Sequence, residues 1–456
     1  MLLEFSVSNF RSIKEMQTLS FVATAMIEHE ATNVFKANEK TRLLKSVGIY
    51  GANGSGKSNL IKAIGAMLGF IKSPFDLKQK FQEQIQPFRF NTVTRNEGSF
   101  FQIMFMLEGK NFRYGFVYHK GTITSEWLFG TATKNEVFYF TREGQDIDIN
   151  KERFGEALGL EKKTRANNLF LNVINEFNGA LSSSICNYLR DIWIIKGLNN
   201  SIEDNFLKDM SIDALKKDET KEKLLLLMQV ADMDLKGLSL RDDDTIKNSV
   251  VKKFGKKGIA EIENAESEND IVNAMINIPY FTSAMESVFM GADFMDEFTK
   301  YLNPVLSKQD IFDEYGNKGT PEFYDFNEYA SEGTKKLFSY AGIILAYLKN
   351  DGIIIIDEFG SKLHTLLTKA IIKLFNSEEN KAAQLCFVTH DINLLDKDLL
   401  RRDQVYLTEK NLKGETSLYS LAEIKAVRND ASFEKDYIKG KYGAIPFVKN
   451  LNSIFE

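Results

Sequence analysis

The octapeptide GANGSGKS, residues 51–58, is the stretch of sequence that decides the fold. Its spacing is G-x-x-x-x-G-K-[ST], in which backbone amides at a helix N-terminus surround a phosphate group and the lysine neutralises it. An apolar segment at 44–50 precedes the octapeptide, and apolar residues at helical spacing follow it over 59–70. Strand, loop and helix therefore come in the order that a phosphate-binding loop requires.

This loop predicts ATP and Mg²⁺ as cofactors. Lys57 is expected to neutralise phosphate and to take part in catalysis, and Ser58 is expected to be a Mg²⁺ ligand. The alternative is a glycine-rich turn with an exposed lysine, which the flanking strand and helix disfavour. The predicted nucleotide-binding residues of this segment are Asn53, Gly54, Ser55, Gly56, Lys57, Ser58 and Asn59.

A second motif is an apolar strand predicted at 352–356 that ends in Asp357 and Glu358. This arrangement predicts Asp357 near the Mg²⁺ and Glu358 near an attacking water. Adjacent carboxylates alone would equally fit a strand that ends in a solvated acidic turn. The phosphate-binding loop upstream favours the catalytic interpretation.

Two further segments resemble parts of the ABC-type ATPase heads found in SMC, RecF and OLD-like proteins. YASEGTKK, residues 329–336, is similar to the signature segment of that class, which implies that Ser331 and Gly333 bind a γ-phosphate. VTHD, residues 388–391, resembles the switch segment and implies a catalytic role for His390. A histidine at a strand end is otherwise more often structural.

The N-terminal SNFRS, residues 8–12, is similar to the opening of SMC and RecF heads. That similarity implies that Arg11 and Ser12 approach the nucleotide, although a surface turn between two strands fits the same residues. Gln86, before the segment PFRF, is the predicted glutamine of the Q-loop and a predicted metal ligand. An exposed loop glutamine is the alternative.

The whole pattern predicts an α/β fold: an ABC-type head with a mixed parallel core sheet, an antiparallel β lobe and an inserted helical lobe. Residues 1–149 would form the N-terminal half of the head, and 150–325 a mainly helical insertion. Residues 326–456 would complete the head with the signature, the acidic pair, His390 and a family-specific tail. Apolar heptads are not sustained, so a long coiled-coil arm is not expected.

Composition limits the possible partners and the compartment. Lys and Arg total 58 against 63 for Asp and Glu, so net charge does not indicate nucleic-acid binding, although a local basic patch would permit it. Two cysteines without metal-ligand spacing predict the reducing cytoplasm. No apolar run approaches the ~18 residues that span a bilayer, so no membrane association is expected.

The C-terminal segments LLRRDQVYLTEK (399–410) and FEKDYIKGKYGAIPF (433–447) resemble the tails of bacterial AAA-annotated abortive-infection ATPases of the AbiL or RloA kind. Upstream of these tails, Gly360 and Thr365 depart from the family pattern, in which an acidic residue is common after the acidic pair and a proline usually follows Leu363-His364. The resemblance implies a homodimer or higher homo-oligomer that closes around ATP. It also implies control of a separately encoded effector, a Toprim-like or RloB-like nuclease, in anti-phage defence.

No nuclease domain is expected in the chain itself. Only sixty-six residues follow His390 (456 minus 390), and the Asp396-Lys397-Asp398 sequence there better fits the start of a helix. The alternative function is a RecF-like or SMC-like clamp that binds DNA in repair or recombination. The ATP-binding subunit of a transporter is disfavoured by the long middle insertion.

Overall fold

The computed structural model describes residues 1–72, 84–131, 135–197, 201–231, 234–241, 305–425 and 432–445. The chain divides into two compact units, Met1–Glu203 with Ala346–Glu456, and Asp204–Leu345. Among the described residues, no helix has the length and apolar character needed to cross a membrane.

Eighteen strands are defined within the described ranges. In chain order they are Leu2–Ser8 (β1), Gln17–Ser20 (β2), Val34–Lys36 (β3), Arg42–Leu44 (β4), Ser46–Gly51 (β5), Ser99–Leu107 (β6), Lys110–His119 (β7), Thr122–Thr131 (β8), Val137–Glu143 (β9), Asp146–Ile149 (β10), Trp193–Ile195 (β11), Gly237–Leu240 (β12), Val305–Gln309 (β13), Glu322–Asp325 (β14), Ile353–Ile356 (β15), Gln384–Val388 (β16), Val405–Lys410 (β17) and Thr416–Ser420 (β18).

The α-helices of the same ranges fall in both units. They are Glu30–Asn33 (α1), Lys57–Lys72 (α2), Phe170–Glu176 (α3), Ala180–Arg190 (α4), Ser201–Leu215 (α5), Asp218–Gln229 (α6), Phe326–Tyr329 (α7), Glu332–Lys349 (α8), Thr365–Phe375 (α9) and Phe433–Ile438 (α10).

The first unit contains a six-stranded sheet in the order β11-β15-β16-β5-β17-β18. Neighbouring strands are parallel from β11 to β17, and β18 joins β17 as an antiparallel edge. All four isoleucines of β15 and all six residues of β5 are buried, as expected for parallel strands covered on both faces. The strand β5, which carries the phosphate loop, therefore lies inside the sheet.

This unit also contains the two-stranded sheet β3-β4 and a seven-stranded antiparallel sheet in the order β10-β9-β8-β7-β6-β1-β2. Its strands alternate between buried and partly exposed residues over much of their length, the pattern of a sheet packed on one face. The turn between β6 and β7 has positive φ values of 50° at Glu108 and 74° at Gly109. The predicted fold class, an α/β head with an antiparallel β lobe, is confirmed.

Helix α2 contributes to the core shared by the two sheets. Phe70 contacts Phe116 and Tyr118 of β7, with ring centroids 5.6 and 5.4 Å apart. The same apolar cluster includes Val47 and Ile49 of β5. The helix that begins at the phosphate loop is thus fixed along its length by both sheets.

The second unit holds helices α5 to α7, the first part of α8, and the antiparallel sheet β12-β13-β14. Helices α5 and α8 are in close contact, because Ser211 Oγ accepts from the Gly342 N–H at 2.8 Å and a Cβ on Gly342 would overlap the α5 backbone. This unit differs from the insertion expected at 150–325. Residues 150–203 belong to the first unit, since β11 pairs with β15, and a sheet accompanies the helices of the second.

Candidate nucleotide site

The loop at 51–58 joins β5, which ends at Gly51, to α2, which begins at Lys57. Gly51, Gly54 and Gly56 have φ values of 151°, 75° and 113°, a region that side chains rarely enter. Lys57 Nζ donates to the carbonyls of Gly51 at 2.7 Å and Ala52 at 2.9 Å. The ammonium group is therefore held over the loop, where the N-terminus of α2 also favours an anion.

The electrostatics of Lys57 fit a phosphate ligand. Burial lowers the pKa of Lys57 to about 8, and the nearby Asp357 carboxylate offsets only part of this effect. A phosphate group beside the ammonium would favour its charged form. A phosphate bound at the loop would thus supply counter-charge to this partly buried cation.

Ser58 and Asp357 meet at the start of α2 and the end of β15. Ser58 Oγ donates to Asp357 Oδ1 at 3.5 Å. Burial raises the pKa of Asp357, against the opposing effects of Ser58, Lys62 and Lys57. Hydroxyl and carboxylate oxygens are ligands that Mg²⁺ accepts, usually together with phosphate oxygens and water. These two side chains therefore fit a Mg²⁺ ion, which when bound would neutralise charge on the phosphates.

Glu358 has a backbone conformation that is uncommon for its residue type. Its φ is 54°, and its N–H donates to Asp357 Oδ1 at 3.1 Å. Such left-handed non-glycine residues are concentrated at functional sites. Glu358, Asp357, Ser58 and Gln84 line a cavity of about 550 Å³. A carboxylate at this place can orient a water and accept its proton.

The turn at Asp357 and Glu358 is fixed by a neighbouring strand that sequence reasoning missed. The Asp357 N–H donates to the carbonyl of Ile195 in β11 at 2.8 Å. A Cβ on Gly197 would lie 2.5 Å from the Asp357 carbonyl oxygen and 2.7 Å from Glu358 Cβ. Glycine at 197 therefore permits close packing against the acidic pair. In the sequence, the signal for this role is limited to the position of Gly197 after a short apolar segment.

His390 follows β16 and is exposed. Partial burial and the Lys57 ammonium lower the pKa of His390, whereas Glu358 and Asp357 act in the opposite direction. The imidazole is thus influenced by the charges of Lys57, Glu358 and Asp357. The next residue, Asp391, accepts a hydrogen bond from the Thr365 hydroxyl at 2.6 Å. Thr365, a departure from the ABC-type pattern, anchors the segment that carries His390.

The N-terminal turn reaches α2 through Ser12. Asn59 Nδ2 donates to Ser12 Oγ at 2.7 Å. Arg11 has a φ of 53°, and its backbone N–H donates to the Gln86 carbonyl at 2.7 Å. Gln84, whose carbonyl accepts from the Arg11 guanidinium at 3.2 Å, lies on the cavity wall with Asp357. The cavity that contains the acidic pair is thus lined by Gln84 and not by the predicted Gln86. The backbone carbonyl of Gln86 instead binds Arg11.

Ser331 caps α8. Its Oγ accepts from the Thr334 N–H at 3.1 Å and lies 2.8 Å from the Thr334 hydroxyl. Ser331 is exposed, and Gly333 is partly exposed in the first turn of the helix. Both residues belong to the second unit, whereas the loop at 51–58 belongs to the first.

The remaining predicted residues differ in their surroundings. Asn53 and Gly54 are exposed, and Ser55 is buried with its hydroxyl 2.6 Å from that of Thr408. The expected helix start at Asp396 is wrong. Asp396 begins a turn, in which it accepts from the Asp398 N–H at 3.0 Å and pairs with Lys369 at 2.8 Å.

A protein-family model described as "AAA domain, putative AbiEii toxin, Type IV TA system" matches residues 46–396. The chain belongs to this family. The matched region of this AAA-domain chain includes the phosphate loop, the acidic pair and His390. Family and site together support the binding and hydrolysis of ATP. No curated protein matches the sequence.

Solved structures similar to this AAA-domain chain include three heads of SMC proteins. The SMC head domain from Thermotoga maritima is 10% identical, with 92% of this chain and 98% of that chain covered and a TM-score of 0.36. The Smc head domain with an extended coiled coil bound to the C-terminal domain of ScpA from Pyrococcus furiosus is 14% identical. The match covers 96% of this chain and 98% of that chain, with a TM-score of 0.37. An SmcHead bound to the C-winged helix domain of ScpA is 13% identical. The match covers 93% of this chain and 99% of that chain, with a TM-score of 0.36.

Proposed function

We propose that this chain is an ATP-driven sensor in anti-phage defence, which dimerises around ATP and controls a separately encoded effector nuclease. The observation that carries the proposal is the exposed, serine-capped N-terminus of α8. It bears Ser331 and Gly333, the residues of the signature-like segment, and belongs to a different unit from the phosphate loop. An exposed helix N-terminus favours an anion such as the γ-phosphate of ATP bound to another subunit.

In the proposed reaction, the phosphate loop positions ATP and Lys57 neutralises its phosphates. Glu358 orients the attacking water and takes up its proton. His390, whose pKa responds to the charges of Lys57, Glu358 and Asp357, senses the γ-phosphate. Ser331 and Gly333 of a second copy complete the site, so that two chains hold two ATP molecules between them. Hydrolysis then removes the group that joins the two copies.

The variant Glu358→Gln tests the dimer. It retains the shape of the side chain but has no carboxylate to accept a proton, so we expect normal ATP affinity and turnover slowed by about two orders of magnitude or more. Light scattering should show the mass of a dimer with ATP and of a monomer without it. The matched control is the Lys57→Ala/Glu358→Gln double variant, which should remain a monomer. A mass that does not depend on ATP would contradict the proposal.

The effector is proposed from the family and from the tail. The family description names a putative toxin of a toxin–antitoxin system, and residues 399–410 and 433–447 resemble abortive-infection ATPases. We place the pair of proteins in the cytoplasm. Copurification of the products of the native operon, followed by mass measurement, should yield a complex with a small nuclease. A salt-sensitive stimulation of ATP hydrolysis by DNA, without such a partner, would favour a RecF-like clamp instead.

A further inference from the structure

The phosphate loop is supported by the hairpin of β17 and β18. Thr408 of β17 packs against Gly51, where a Cβ would lie 2.5 Å from the threonine hydroxyl oxygen. Thr416 of β18 packs against Gly56, where a Cβ would lie 2.6 Å from Thr416 Cγ2 and closer still to its hydroxyl oxygen. The first and last glycines of the loop motif are therefore also required by contact with two threonines that lie more than three hundred residues further along the chain.

Both threonines bind Ser55, the residue before Gly56. Thr408 Oγ1 donates to the Tyr50 carbonyl at 3.2 Å and lies 2.6 Å from Ser55 Oγ, so the Ser55 hydroxyl donates to it. Thr416 Oγ1 donates to the Ser55 carbonyl at 2.8 Å. One strand of the hairpin thus holds the side chain of Ser55 and the other holds its backbone.

The hydroxyl of Thr416 is itself part of a chain of hydrogen bonds. Thr416 Oγ1 donates to the Ser12 hydroxyl oxygen at 2.8 Å as well as to the Ser55 carbonyl, so its one proton is shared between these two acceptors. Ser12 Oγ in turn accepts from Asn59 Nδ2 at 2.7 Å. The Thr416 N–H also donates to the Ser12 carbonyl at 2.8 Å. The two contacts with Ser12 hold the Thr416 hydroxyl beside the Ser55 carbonyl.

The direction of the Ser55 carbonyl determines the direction of the next amide. In a planar trans peptide the C=O and the following N–H point to opposite sides. With its carbonyl held by Thr416, the Ser55–Gly56 peptide must direct the Gly56 N–H away from the hairpin, toward the side where the N-terminus of α2 receives a phosphate. Gly56 has a φ of 113° and no side chain, so without a restraint this peptide could turn over easily.

We propose that Thr416 is a positioning residue for the nucleotide, whose hydroxyl holds the Ser55–Gly56 peptide with its N–H directed at the phosphates. Thr416 does not touch the nucleotide. Its effect passes through one backbone carbonyl, and Ser12 supports it from the N-terminal turn. The same geometry gives Ser12, whose role the sequence leaves open, a supporting contact with Thr416 beside the loop.

The test compares variants of Thr416 by titration with a fluorescent ADP analogue. Thr416→Val keeps the volume and removes the hydroxyl, so nucleotide affinity should fall about tenfold, the value of one lost hydrogen bond to a buried carbonyl. Thr416→Ser keeps the hydroxyl and should bind within about twofold of the unmodified protein. Ser417→Ala, which removes an exposed hydroxyl from the next residue of β18, is the matched control and should bind normally.

The inference rests on the proposed nucleotide binding at this loop. The variant Lys57→Ala distinguishes a failure of nucleotide binding from a failure of the inference about Thr416. If the unmodified protein binds and Lys57→Ala does not, the loop is confirmed and the Thr416 variants decide the inference. Thermal unfolding without nucleotide is measured in parallel. A folded Thr416→Val that binds as tightly as the unmodified protein overturns the proposal, as does a Thr416→Ser that binds as weakly as the valine variant. If the valine variant does not fold, Thr416→Ala is judged by the same criteria.

Discussion

The charge of Lys57 depends on what the phosphate loop binds. Its ammonium contacts two backbone carbonyls and has a pKa near 8, because burial removes water from it. Below pH 8 the free protein carries the charged form, which attracts phosphate. Above pH 8 most of the free protein has a neutral Lys57 side chain. Phosphate binding above this pH must therefore be accompanied by protonation of Lys57 from solution.

We therefore expect the affinity for ADP to fall as the pH rises from 7 to above 8. The cause is the lowered pKa of Lys57: only the ammonium form neutralises phosphate, and this form becomes scarce above about pH 8. Fluorescence titrations across this range measure the effect. Lys57→Arg is the control, since a guanidinium remains charged and its affinity, although lower, should not vary with pH. A flat profile for the unmodified protein would show that the pKa of Lys57 is not lowered.

At the scale of elements, Glu126 of β8 joins the antiparallel sheet to helix α3. This fully buried carboxylate accepts from the N–H groups of Phe170 at 2.6 Å and Leu171 at 3.0 Å, at the first turn of α3. It also accepts from the Tyr114 hydroxyl at 3.0 Å, and it is paired with the buried Arg142 at 3.5 Å. One side chain thus satisfies a helix N-terminus and a buried cation.

Replacing Glu126 by Ala should lower the free energy of unfolding by about 3–5 kcal/mol, because the Arg142 charge and two helix amides would lose their partner inside the protein. Urea denaturation measures this change. Glu143→Ala provides the control, since Glu143 is exposed and bonded to Ser125, and its removal should change stability little. Equal midpoints for the two variants would contradict the assigned role.

The parts of the candidate site that could be predicted are those whose residues lie in one continuous segment of the sequence. The loop at 51–58 and the strand before Asp357 are continuous segments whose pattern specifies both structure and chemistry. Gln84, Gly197 and Thr416 were not found, because their roles depend on which distant segments meet. Two glutamines that lie two residues apart in one loop cannot be distinguished by pattern, and a threonine in a strand is common. The apolar pair Ile194 and Ile195 contains no pattern that predicts the pairing of β11 with β15.

For the whole molecule, the proposed dimer predicts complementation between two inactive variants. Lys57→Ala destroys the phosphate loop, and Ser331→Arg places a bulky cation at the N-terminus of α8, where it would obstruct the γ-phosphate. Each variant alone should lack ATPase activity. In a mixed dimer one site combines both defects, whereas the other has an intact Lys57 and an intact Ser331, so mixing should restore activity.

Steady-state hydrolysis measured at several mixing ratios tests this expectation. A mixture of Lys57→Ala with the Lys57→Ala/Ser331→Arg double variant is the control, since neither of its sites can contain Lys57. Activity that appears only in the first mixture would establish that the site is shared. Continued inactivity of that mixture, with mixed dimers present by mass, would mean that each chain has a complete site of its own.

The position of β5 between β16 and β17 also governs the order of events during synthesis. The ribosome makes residue 384, the start of β16, 333 residues after Gly51 (384 minus 51). At about 5–20 residues per second, the buried strand that carries the phosphate loop waits roughly 17–67 seconds for its first neighbour. During that time the apolar strand lacks the two neighbours that cover its edges in the finished sheet. A polypeptide released before Thr416 would lack the support of the phosphate loop, so we expect an interrupted translation product to bind nucleotide more weakly and to join the proposed ATP-dependent assembly less readily.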